Sequence, residues 1–192
     1  MFSNDELKVL IAGEMIGDIY PYSSRNEQEV DHYLKRLIAE VKREKIQVIE
    51  EPAHFGSGYA SYFEWCCYGD EHVTVNDDEH TRTVEIEGLA VAISRLAPVV
   101  LIGRMDRSDT FAKDGKSLSG GRSVFSQLSD LHIEPAFIPL VQRLERLFMK
   151  YQYTILRKED VSRLLPFQAD IPTILREKRD YLIWDAIFYW ED

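Results

Sequence analysis

Cysteine is nearly missing from this sequence: Cys66 and Cys67 are the only two, and they are neighbours. Successive residues on a strand point to opposite faces, so they are read as free thiols and no disulfide framework is expected. The first residues, MFSNDELKVLIAGEMIG, lack the basic start of an export signal. With free thiols, that predicts a cytoplasmic chain. Nor does any run approach the roughly 18 to 20 consecutive apolar residues of a membrane span. Positive charge is also scarce: 23 lysines and arginines face 33 aspartates and glutamates, a formal net charge of -10. Such a chain repels phosphate backbones, and no basic stripe interleaved with aromatics offsets this, so a nucleic-acid partner is not expected. A basic protein would instead be attracted. There is no internal repeat and no low-complexity tract. A chain of 192 residues, 45% apolar, can bury a core without staples and reads as one domain over 1–192.

What is present is strong periodicity. In NEQEVDHYLKRLIAEVKREK, Val30, Tyr33, Leu34, Leu37, Ile38 and Val41 recur at helical spacing, with Asn26 as N-cap. A second amphipathic helix follows in EPAFIPLVQRLERLFMKYQ, where Pro139 suits the first turn. Ahead of the first helix, Leu7 to Ile19 reads as either a strand or a short helix, ending at Pro21. IQVIEEP, YFEWCCY, TRTVEIEG and LAVAISRLAPVVLIGRM read as strands, the last cut in two near Pro98. On the second of these, Tyr62, Glu64, Cys66 and Tyr68 share one face, and the more apolar Phe63, Trp65 and Cys67 face the core. Val84 and Ile86 point inward, with Glu85 and Glu87 outward. YTILR is a short strand and KEDVSRLLP a short helix. The tail YLIWDAIFYWED is too apolar to lie in water and closes the core. The expected fold is α+β: a mostly antiparallel meander with the two amphipathic helices packed on one face.

Candidate chemistry is sparse. GKSLSGGRS, residues 115 to 123, has the composition of a phosphate cradle, but G-x-x-x-x-G-K-[ST] fails because Gly121 stands where lysine is required. Residues 106 to 123 are therefore read as a mobile polar loop. His72 and His80 lie among Asp70, Glu71, Asp77, Asp78 and Glu79, yet neither an EF-hand nor an H-E-x-x-H pattern is present. That segment reads as a hairpin tip whose turn is made by Asn76, Asp77 and Asp78. Cys66 and Cys67, mid-strand among aromatics, read as buried packing and not as nucleophiles. Pairs of carboxylates abound, but none stands out for acid–base work. No catalytic, cofactor or metal residue is assigned.

GSGYASYFEWCCY, GLAVAISRLAPVVLIGR, YTILRKEDVSRLLP and the terminal IWDAIFYWED together resemble small bacterial immunity proteins associated with polymorphic toxins. The likeness spans roughly residues 55 to 192 and rests on the order of the stretches. It implies a cytoplasmic protein that neutralises a cognate toxin by direct binding, without catalysis or cofactor. Such families share no catalytic motif, so it carries over no functional residue. Net charge points to a basic toxin domain, met by Asp70, Glu71, Asp77, Asp78 and Glu79. The competing expectation is a small hydrolase or nucleotide-using enzyme, with its site near the glycine-rich loop 115–123 or the His/acid segment 70–80.

Overall fold

The computed structural model describes residues 2–51, 58–177 and 180–191. The chain opens with α1 (Asn4–Ile11), where Ser3 and Glu6 cap each other reciprocally. This settles the ambiguous N-terminal stretch as a helix: Ser3 satisfies a backbone donor of the first turn, and Leu7 and Leu10 are buried. α2 (Glu27–Arg43) starts at Asn26, whose side chain accepts from the Gln28 amide, and buries Val30, Leu34, Leu37, Ile38 and Val41.

Among the described residues seven strands form one sheet: β1 (Gln47–Glu51), β2 (Tyr62–Tyr68), β3 (Val73–Asp77), β4 (Thr81–Ser94), β5 (Val99–Ala112), β6 (Ser117–Arg122) and β7 (Thr154–Leu156). The order is β1-β2-β4-β5-β6, with β3 on β4 and β7 on β5. Every pairing is antiparallel except β5 with β7. The long β4–β5 hairpin is the spine, turning sharply where the Ser94 hydroxyl accepts from the Leu96 and Ala97 amides. α3 (Ile138–Lys150) leads into β7, α4 (Lys158–Val161) follows, and α5 (Ile183–Ile187) lies in the apolar tail.

The fold is α+β and mostly antiparallel, as the alternating strands predict. The two amphipathic helices share one face, as expected, but the other face is covered as well. α3 covers the Trp65 face, where Phe148 meets Trp65, and α2 joins it through Tyr33 against Tyr151. The opposite, Glu64 face is covered by the tail and by segment 123–133: Phe188 packs on Tyr62, and Trp184 on Phe125. In consequence β2 is buried on both faces, and Glu64 and Cys66 lie inside along with Trp65 and Cys67. Finally, residues 106–123 are no mobile loop. They form the end of β5, a turn with Gly115 at φ +85°, and β6. Asp114-Gly115 is the hairpin signal that outweighs the polar composition, and the Asp114 carboxylate accepts from the Lys116 amide to fix the turn.

The tail is buried from Tyr181 to Tyr189, as its composition requires. Ser61 anchors it: its amide donates to the Tyr189 carbonyl at 2.9 Å, its hydroxyl donates to the Ile187 carbonyl at 2.9 Å, and the Tyr189 amide donates back to that hydroxyl at 2.8 Å.

Candidate functional site

β3, β6 and the outer halves of β4 and β5 make a four-stranded ribbon that solvent reaches on both faces. One face carries Val75, Val84 and Phe111; the other carries Thr74, Asn76, Thr83, Glu85, Ser108 and Thr110. Strand alternation produces this division, and no helix is needed to maintain it.

The five acids singled out from sequence all fall at β3, but as two groups. Asp70 and Glu71 lie in a 3₁₀ turn before it, and Asp77, Asp78 and Glu79 at its far end. Four strand residues, Val73 to Asn76, separate them, roughly 13 Å of rise. Several carboxylates already have internal partners. Asp70 accepts from the Gln47 amide side chain at 3.0 Å, and Asp77 pairs with Lys113 across the ribbon. Asp78 alone makes the turn, accepting from the His80 and Thr81 amides and the Thr81 hydroxyl; Asn76 and Asp77 are strand residues. Those bonds, the Thr81 amide's foremost, lower the Asp78 carboxyl to about 2. Glu79 is exposed at the tip.

The two histidines do not converge. His72 stacks on Phe137 with ring centroids 4.4 Å apart, and its Nε2 lies 3.8 Å from Glu71; His80 sits in the turn. Among the described residues no group of three His, Cys, Asp or Glu side chains is placed to hold a metal ion. Gly120 and Gly121 belong to an edge strand, not to the strand–loop–helix that a phosphate cradle requires.

Sequence reasoning missed a buried charge cluster on the Glu64 face. Arg107 on β5 grips Glu51 on β1 with contacts of 2.7 and 3.0 Å and also holds Asp109. Arg122 on β6 reaches Glu64 on β2 at 2.7 Å and Glu51 at 3.2 Å. Arginines can cross so many strands because β4 offers little bulk beneath them: Gly88, Ala90 and Ala92 lie on this face. A Cβ at Gly88 would stand 3.1 Å from the Cys67 carbonyl and 3.2 Å from the Cys66 sulfur. Burial raises the Glu64 carboxyl to about 7 against the pull of Arg122, and raises the Cys66 thiol to about 12. Both cysteines are free and buried. The signal for the cluster was the Asp-Gly turn, since pairing back from it sets Arg107 opposite Arg122.

A second missed feature is a hollow of about 410 Å³ whose lining includes Glu85, Glu87, Arg104, Asp106, Ser108 and Gly121. Arg104 pairs with Asp106 and, at 2.6 Å, with Glu134. Comparison with protein-family models, with curated proteins and with solved structures finds no match.

Proposed function

We propose that the chain works by binding a basic protein, in the manner of an immunity protein that neutralises a toxin, and not by catalysis. The observation that supports this reading most is how the ionisable groups are divided. Burial raises Glu64 and Cys66, and both are enclosed, Glu64 engaged with Arg122 and Cys66 packed among its neighbours. Glu79, Glu85, Glu87 and Asp106 meet water on the ribbon, where exposed acids outnumber the exposed Arg82, Arg104, Lys113 and Lys116. Exposed charge of one sign speeds encounter with an oppositely charged partner. The net charge of -10 acts in the same direction.

The reading predicts a toxic domain encoded beside this chain, and co-expression with that domain tests it: growth should be restored. Reversing Glu79 and Glu87 together to lysine should slow association with the purified toxin about tenfold at low salt, and less as salt rises. Failure to rescue growth would overturn the proposal.

A further inference from the structure

We propose that β6 is the docking strand: its free edge accepts an extended segment of the basic partner as an added antiparallel strand, with lysines or arginines at alternate positions. This rests on the reading of the chain as a partner-binding protein and adds which surface binds, and how.

Among the described residues β6 pairs on one side only, with β5, so the outer edge over Ser117–Gly121 carries backbone donors and acceptors without strand partners there. Exposed edges are ordinarily guarded by outward charges, prolines, bulges or a covering element. The other edges have such guards: β1 bears the exposed Glu50, β3 ends in Asp77 beside Asp78 and Glu79, and β7 is three residues long. Along β6, SLSGGR, the one charge is Arg122, and it turns inward to Glu64 and Glu51. A register irregularity touches the strand near Leu118, but Ser119 to Arg122 pair regularly with Thr110 to Arg107. Bare backbone of this kind is what strand addition uses for affinity, with side chains supplying selectivity.

The selectivity is written beside it. Glu85, Ser108 and Gly121 stand in one row across β4, β5 and β6, and Glu87 and Asp106 in the next row. No atom lies within 4 Å of where a Cβ on Gly121 would sit. A side chain on the added strand therefore meets no obstruction over β6 and enters the hollow beyond. Strands lie about 4.8 Å apart, so a long cationic side chain reaches Asp106 two strands away and extends toward Glu87 and Glu85. The hollow holds those three carboxylates to one solvent-facing guanidinium, Arg104, because Arg107 and Arg122 are engaged by Glu51, Glu64 and Asp109. Among the described residues Arg104 pairs with Asp106 and Glu134, and Glu87 has no ion pair. The like charge of a second copy argues against self-pairing at this edge.

The test uses the full chain, isotope-labelled, with a ten-residue peptide alternating lysine and threonine. Amide exchange should slow within Ser117–Arg122 when the peptide is added. Affinity should fall at least tenfold for a lysine-matched peptide with two central prolines, for a glutamate–threonine peptide, and for the Gly121→Lys variant, whose melting temperature should stay unchanged. Equal binding of the proline peptide would reduce the contact to unspecific charge attraction and overturn the proposal. So would protection confined to other strands, or protection of β6 by concentration-dependent self-association without peptide. If growth rescue persists in Gly121→Lys, the immunity reading stands and the edge assignment fails. If the peptide adds at β6 but no toxin is neutralised, the reverse holds.

Discussion

Glu64 is where a single proton matters most. Its cluster holds three carboxylates, Glu51, Glu64 and Asp109, against two guanidiniums, Arg107 and Arg122. One added proton brings the group to neutrality, and burial directs it to Glu64, whose carboxyl rises from 4.5 to about 7. Between those values the folded protein holds a proton that the unfolded chain has released. The stability this supplies is complete below about 4.5 and is lost as pH rises through about 7. Glu64→Gln keeps a carbonyl for Arg122 and removes the titration. It should melt several degrees above the parent at pH 8 and level with it near pH 5, as followed by thermal denaturation across pH. A lower melting temperature for the variant at pH 8 would mean that the Arg122 attraction outweighs burial. Arg122→Leu is a harsher change, because it leaves Glu64 and part of Glu51 buried without their cation.

On the scale of elements, β5 shows how closely its cover fits. A Cβ at Gly103 would fall 2.2 Å from a Phe125 ring carbon and 2.6 Å from the Asp130 carbonyl, which itself accepts from the Arg104 amide at 2.7 Å. Gly103→Ala should therefore push segment 123–133 away from the sheet, costing about 2 kcal/mol and visible as a lowered melting temperature. A melt unchanged by that substitution would show that the cover yields freely. α2 and α3 were readable from sequence because apolar spacing and caps such as Asn26 act locally. Alternation and the break at Pro98 located β4 and the inner half of β5, but TRTVEIEG and LAVAIS proved to be one strand and not two. β6 was not readable, since SLSGGR has no alternation and owes its conformation to pairing with β5. The parallel placement of β7 was likewise beyond local pattern, because it depends on where α3 returns the chain. Of the candidate surface, composition placed a turn at Asn76, Asp77 and Asp78, and of these only Asp78 makes it. Glu87 and Asp106 become neighbours only through the β4–β5 register.

Across the whole molecule, Ser61 is one of the points where the early part of the chain is tied to the tail. Its bonds to Ile187 and Tyr189 span 126 and 128 residues of sequence, whereas the β4–β5 hairpin closes over the four residues between Ser94 and Val99. Loop closure over such different lengths sets an order in time. The hairpin pairs early, and the tail, which must find residues 59–61 from far along the chain, docks late. Interactions made after the rate-limiting step govern how fast the protein comes apart, and have little bearing on how fast it forms. Ser61→Ala should accordingly steepen the loss of native protein in stopped-flow unfolding while leaving the refolding limb where it was. A matching slowdown in refolding would place the tail in the nucleus instead. On that order of events the bonds at Ser61 act as a brake on escape from the native state, and their loss should shorten the lifetime of the folded chain.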